Sequence, residues 1–256
     1  MDYLQVNQQA WDKRTEIHKA SRFYDVDGFL QGASSLQEIE CRELAVAGKS
    51  LLHLQCHFGL DTLSWARLGA KVTGVDLSPA AIGYAQELAQ KAKLDATFVA
   101  SDVYQCRQYI QTQFDLVYTS YGALCWLPDL RQWAEVIAAS LKPGGEFYMV
   151  EFHPLQAVFE GYRYFSHAEP DIETEVTYTE NANDEKHTTA TWSHPISEVI
   201  NALIQAGLNI QSVQEYDYSP YNCFEGLVEV AEGRYAWLHQ EQAIPLTYAL
   251  RAKKPE

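Results

Sequence analysis

The chain has few basic residues: 19 Lys and Arg stand against 34 Asp and Glu, a formal net charge of −15, and no basic run occurs. Such a surface repels a phosphate backbone and an anionic bilayer alike, so neither nucleic acid nor a membrane is an expected partner. No apolar run approaches the roughly 18 residues of a membrane span, and the start, Met1-Asp2-Tyr3-Leu4-Gln5, lacks the basic and apolar regions of a leader. There is no paired-cysteine framework either. The five cysteines, at 41, 56, 106, 125 and 223, are odd in number and scattered, which fits a reducing, cytoplasmic compartment. Also missing are a Walker lysine motif and the G-x-G-x-x-G of a dinucleotide site, so the cradling of phosphates is poorly supported.

Present instead is an ordinary globular composition, 47% hydrophobic and 21% charged over 256 residues. That is enough for one large core carrying an elaboration. The spacing of Trp11, Ile17 and Ala20 predicts a helix over 7–20. Ser35 and Glu38, in the S-x-x-E pattern, predict a second over 35–45. From residue 50, short apolar runs alternate with helical patterns, the sequence form of a parallel sheet covered on both faces.

Strands are expected at 50–54, 71–75, 96–100, 114–118 and 146–151. A helix from about Asp61 is closed by Gly69, another opens at Ser78-Pro79, and a third follows Asp129 and ends at the turn Lys142-Pro143-Gly144-Gly145. After His153-Pro154 the regularity breaks, and about 154–193 reads as an insertion covering the site. A helix over 195–206, closed by Gly207, restores the pattern. A sixth strand follows near 209–214, and the apolar segment 244–252, with no helix-length crossover before it, enters as a seventh. Residues 1–49 read as a helical cap and 50–256 as the main domain.

Ligands of an open α/β sheet bind where strands end and helices begin. The first such turn here is Gln55-Cys56-His57-Phe58-Gly59, with one glycine. Asp76 closes the second strand, where a carboxylate can accept hydrogen bonds from both ribose hydroxyls. That role is common to sites for NAD and for S-adenosylmethionine (SAM). Ser101-Asp102-Val103 closes the third strand and sets a carboxylate where an adenine amino group can donate to it.

These elements together resemble the class I SAM-dependent methyltransferase superfamily, in its small-molecule branch similar to quinone-biosynthesis methyltransferases. The resemblance covers about residues 50 to 151, through the 51–59 strand and loop, Gly74-Val75-Asp76-Leu77-Ser78, Asp102, Phe114-Asp115-Leu116-Val117 and Leu141-Lys142-Pro143-Gly144-Gly145. It implies a Rossmann-like, doubly wound α/β sheet of seven strands with the last antiparallel, N-terminal helices and a lid insertion. SAM is the implied cofactor. By that resemblance Gln55, Cys56, His57 and Gly59 line its methionine part, Asp76 with Leu77 its ribose, Ser101, Asp102 and Val103 its adenine, and Thr119 and Ser120 its amino-acid end. The loop departs from the usual acidic-x-G-x-G-x-G: His53 stands for the acid, Gln55 for the first glycine and His57 for the second.

The activity implied is SN2 transfer of a methyl group to a small molecule. A non-catalytic SAM- or adenosine-binding module and an NAD-dependent oxidoreductase are the alternatives. His153, at the carboxyl end of the fifth strand, is the candidate general base, with a hydrogen bond to the lid backbone as its other reading, and Glu151 shares that ambiguity. His53, Cys56 and His57 are zinc-type residues without an evident fourth ligand, so no metal is expected. Aromatics concentrate at the carboxyl-end loops and in the insertion, among them Tyr121, Trp126, Phe152, Tyr221 and Phe224, and suit an aromatic or cationic acceptor. Residues 21–25 either fold over the cofactor or cap the sheet.

Overall fold

A computed structural model describes residues 1–256. In chain order it comprises α1 (Tyr3–His18), α2 (Val26–Leu30), α3 (Glu38–Glu43), β1 (Ser50–Leu54), α4 (Leu60–Arg67), β2 (Lys71–Asp76), α5 (Pro79–Ala92), β3 (Ala96–Ala100), β4 (Phe114–Thr119), α6 (Leu130–Ser140) and β5 (Leu141–Phe152). There follow α7 (Pro154–Phe159), the hairpin β6 (Asp171–Glu175) and β7 (His187–Thr191), α8 (Ile196–Gln205), β8 (Asn209–Tyr216), four short strands β9 (Val228–Ala231), β10 (Arg234–Ala236), β11 (Leu238–His239) and β12 (Gln242–Ala243), and β13 (Thr247–Lys253). Single 3-10 turns span Val103–Gln108 and Leu124–Trp126.

The main sheet has the order β3-β2-β1-β4-β5-β13-β8. β1 to β5 run parallel, and β13 runs antiparallel to both β5 and β8. No crossover helix separates β8 from β13, so the chain returns beside β8 in the opposite sense. This is the seven-stranded arrangement expected from the sequence, including the reversed last strand. Alternation along the central strands splits the core in two. Leu52, Leu54, Val117, Phe147 and Met149 pack beneath α6 and α8, whereas Leu51, Leu116, Tyr118, Tyr148 and Val150 pack against Trp65 of α4 and the segment around α3.

Two glycines are fixed by space. A Cβ on Gly59, which has φ +78°, would lie 2.6 Å from the Phe98 ring, and one on Gly74 would lie 2.7 Å from the same ring. The Phe98 side chain thus seals the gap between the first turn and β2.

Local starts differ from the sequence reading in two places. α3 begins at Glu38 rather than Ser35, and the backbone N–H of Gln37 donates to Glu40 at 2.7 Å. Ser35 instead donates its hydroxyl to Asp61 at 2.6 Å, tying that segment to α4. In α1 the buried face carries Asn7, Ala10, Arg14, Thr15 and His18, while Ile17 is only partly covered and Ala20 is exposed. The expected apolar stripe is absent because α1 lies over the cavity, not over the core. No helix is long and apolar enough to cross a membrane.

Candidate active site

A cavity of about 1030 Å³ opens at the carboxyl ends of β1, β2, β4 and β5 and is covered by α1, residues 23–37 and the β6–β7 hairpin. Its floor is the turn after β1. Gln55 and His57 both adopt left-handed backbone, φ 57° and 52°, at the two positions where the sequence pattern leads one to expect glycine. Non-glycine residues pay about 1–2 kcal/mol for that conformation, and specific contacts offset it. Gln55 turns its Nε2 to the Ala123 carbonyl at 2.6 Å. The His57 ring lies parallel to His18 (5.2 Å, 17°) and Tyr24 (5.3 Å, 18°) and edge-on to Trp11 (5.1 Å, 84°). The bulky residues therefore fit by pointing away from the turn, into the post-β4 loop and the roof.

Asp76 holds this turn in place: one carboxylate oxygen accepts the His57 N–H at 2.7 Å and the other the Ser78 N–H at 2.9 Å. Burial raises its pKa to about 6, against the pull of those two donors. It stays ionised at neutral pH and keeps lone pairs free for further donors. Leu77, Ser101, Asp102 and Val103 line the same cavity. Asp102 caps the following 3-10 turn by accepting the Tyr104 N–H at 3.1 Å, and Ser101 donates its hydroxyl to the Asp102 carbonyl at 2.8 Å. Ser120 lines the cavity too, whereas Thr119 is wholly buried behind it with its hydroxyl unpartnered.

Residues 51–145 match the family model described as a methyltransferase domain. Over 144 residues the chain is 28% identical to the ubiquinone biosynthesis O-methyltransferase of Xanthomonas euvesicatoria pv. vesicatoria (strain 85-10), a match covering 55% of this chain and 60% of that protein. Among solved structures, a S-adenosylmethionine-dependent methyltransferase from Clostridium acetobutylicum ATCC 824 superposes with TM-score 0.61 at 14% identity, covering 98% of this chain and 99% of that one. A glycopeptide N-methyltransferase solved with SAM gives TM-score 0.57 at 16% identity, covering 85% and 92%. The chain is thus similar to a methyltransferase domain over residues 51–145, on a fold shared with those solved structures. It spans 60% of the length of the curated relative from Xanthomonas.

Within this region the zinc-type residues diverge. The His53 ring is bracketed by Thr62 (Nδ1, 2.8 Å) and Ser120 (Nε2, 3.1 Å), Cys56 packs in the core, and His57 faces α1. Burial holds His53 neutral, with a pKa of about 3.

Neither residue at the end of β5 offers a free base. Glu151 accepts the backbone N–H groups of Gly122, Ala123, Leu124 and Phe152 and so fastens the post-β4 loop. His153 accepts the Leu155 N–H at Nδ1 (3.1 Å), which puts its proton on Nε2, donated to Glu215 at 2.8 Å. The general-base expectation at His153 is thus corrected: the ring caps α7, and both nitrogens are engaged. Tyr121 does face the cavity, and behind it its hydroxyl donates at 3.0 Å to Glu40, a wholly buried carboxyl whose pKa burial raises to about 8.

The sequence reading also passed over α1. Asp12 accepts from the Ser78 hydroxyl (2.5 Å) and the Ala80 N–H (3.2 Å), docking α1 on the start of α5. Asn7 exchanges two 2.8 Å hydrogen bonds with the backbone of Ala190 in β7. His18 is joined to His57 (3.1 Å) and Thr177 (2.6 Å). The available signal was a row of polar residues, Asn7, Arg14 and His18, recurring on one helical face. Phe23, Tyr24 and Asp25 line the cavity as well, so the 21–25 segment covers it and does not merely cap the sheet.

Proposed function

We propose that this chain is a SAM-dependent methyltransferase acting on a small molecule. The observation that carries the reading is the convergence of the 55–59 turn, Asp76, Asp102 and Ser120 on one cavity at the carboxyl edge of a class I methyltransferase sheet. The residues present fit SAM: the Asp76 carboxylate has spare lone pairs for ribose hydroxyls, and the buried Oε1 of Gln55 has no partner and suits an ammonium group. In this reading Gln55, Cys56, His57 and Gly59 hold the methionine part, Asp76 and Leu77 the ribose, and Ser101, Asp102 and Val103 the adenine, with Ser120 and the buried Thr119 behind the amino-acid end. When bound, SAM supplies a methyl group on a sulfonium, already activated for in-line attack.

The protein's task is then to align the acceptor and exclude water. Tyr121, Phe152, Tyr221 and Phe224 pack edge to face along one wall, with Tyr121 and Tyr221 5.0 Å apart and Phe152 and Phe224 4.8 Å apart. Nine Asp and Glu side chains line the cavity against Arg14 and Arg163. That lining supports an aromatic or cationic acceptor. Tyr121 is placed to take a proton from it while passing its own hydroxyl proton to Glu40, which acts as the final acceptor when ionised; His153 takes none in this reading. The five unpaired cysteines support a reducing, cytoplasmic setting.

Calorimetry with SAM, S-adenosylhomocysteine and NAD tests the assignment. Binding of the first two at sub-millimolar concentration is expected. Binding of NAD without SAM would sink it. Release of S-adenosylhomocysteine across a panel of phenols and amines separates a transferase from a module that only binds.

A further inference from the structure

We propose that Arg14 is a carboxylate-binding residue of the cavity, its guanidinium held free to receive an anionic group of the ligands that enter. The inference rests on the methyltransferase reading for the identity of those ligands, but not for the existence of the site.

Arg14 is 4% exposed and lines the cavity, yet it makes no hydrogen bond and no ion pair, and its Nε is buried without a partner. The partly buried arginines all have acceptors: Arg67 donates to the carbonyls of Phe29 and Ala33, Arg107 to those of Gln111 and Thr112, Arg234 to the Glu38 carboxylate and Arg251 to the Glu43 carbonyl. A buried guanidinium without an anion is costly, because desolvation is not repaid by Coulomb attraction. Burial accordingly lowers its pKa.

The side chain is held in place without being neutralised. It lies over the rings of Trp11 (5.6 Å) and Trp126 (5.7 Å), contacts that fix a cation and leave its N–H fork unused. A planar fork with vacant donors matches a carboxylate in two-point contact. Gln55, which lines the same cavity, presents an unpartnered buried Oε1, an acceptor without a donor. One unused donor group and one unused acceptor are what an α-amino acid end, ammonium and carboxylate together, would satisfy. The anion then comes from the amino-acid end of the cofactor or from a carboxylate on the acceptor.

The experiment compares wild type with Arg14→Met and Arg14→Lys by calorimetry and thermal unfolding. The probes are S-adenosylhomocysteine, 5′-methylthioadenosine, which lacks the amino-acid end, and benzoate against benzyl alcohol. If the cofactor supplies the anion, Arg14→Met loses roughly 30-fold or more in affinity for S-adenosylhomocysteine while 5′-methylthioadenosine is unaffected, and Arg14→Lys falls between. If the acceptor supplies it, S-adenosylhomocysteine binding is unchanged, and saturable benzoate binding disappears in Arg14→Met without a matching change for benzyl alcohol. In both cases the ligand-free Arg14→Met protein melts no lower than wild type, because an unpaired buried charge has been removed.

The proposal is overturned if neither S-adenosylhomocysteine nor benzoate affinity changes. It is equally overturned if S-adenosylhomocysteine and 5′-methylthioadenosine weaken together, or if the ligand-free variants melt well below wild type, the mark of a structural arginine. Should wild type bind neither nucleoside, the methyltransferase reading fails, and the benzoate arm still decides the role of Arg14.

Discussion

The floor of the cavity and its roof are built in different ways. The floor is the carboxyl edge of β1, β2 and β4, where each turn follows from a strand whose ladder is continuous and whose two faces are packed. The roof, made of α1 and the β6–β7 hairpin, lies outside the packed core clusters, with aromatic contacts such as Tyr3–Trp192 (5.7 Å) and Trp11–Trp126 (5.1 Å) along it. It is joined by single polar side chains across long stretches of sequence: Asn7 to Ala190, His18 to Thr177, the Glu180 carboxylate to the N–H groups of Arg22 and Phe23. A sheet edge fixed by cooperative packing makes a rigid bed for a cofactor. A roof fixed by a few hydrogen bonds can open at modest cost, which admits ligands to an otherwise covered site.

The sharpest way to break the floor is Asp76→Ala. The substitution removes the acceptor of the His57 and Ser78 N–H groups as well as the proposed ribose contact. Loss of two charge-assisted bonds to the ligand lowers affinity for S-adenosylhomocysteine on the order of 100-fold. Calorimetry measures it, and retained affinity would show that the ribose lies elsewhere.

The roof is tested by Asn7→Ala. Two buried hydrogen bonds to Ala190 disappear, leaving a backbone N–H and carbonyl without their partner, at a cost of about 1–3 kcal/mol. If the roof is a separate unit of lower stability, hydrogen exchange quickens in α1 and β7 while protection in β1, β4 and β5 is unchanged. Uniform loss of protection would mean that roof and floor open together and that the contrast between them is false.

The same contrast explains what could be read in advance. The strands of the floor were legible because apolar runs, N-caps such as Ser78 and Asp129, and stops such as Gly69 and Gly207 act locally, whereas the reversal of the last strand came only from the family resemblance. Asp76 and Asp102 could be placed at the cavity edge for the same reason, being one residue class at predictable strand ends. His153 misled because a strand-end histidine looks the same whether its ring is free or caps the next helix, and Glu215, which accepts its proton, is 62 residues away. The buried face of α1 was missed because Asn7, Arg14 and His18 break the rule that buried helix faces are apolar. Only the cavity beneath makes sense of them. Glu40 carries no sequence mark that sets it apart from Glu38 and Glu43 beside it, and its partner Tyr121 comes from the loop after β4.

The smallest effect is expected where floor and roof begin to merge, at Gln55. Gln55→Gly relieves left-handed strain of about 1–2 kcal/mol, but the unfolded chain gains freedom worth about 0.4–1 kcal/mol. The bond from Nε2 to the Ala123 carbonyl, about 0.5–1.5 kcal/mol, is lost as well. These contributions nearly cancel, so unfolding free energy should change by no more than about 1 kcal/mol. Affinity is the more telling readout. If Gln55 merely tolerates a glycine position, the variant binds S-adenosylhomocysteine as wild type does. If its unpartnered Oε1 accepts from the ligand's ammonium, affinity falls by about 10-fold or somewhat more at nearly constant stability, in line with one hydrogen bond to a charged group. The second outcome is expected, because the side chain is already held by Ala123 with its carbonyl oxygen unused, so no rearrangement is needed for that oxygen to serve.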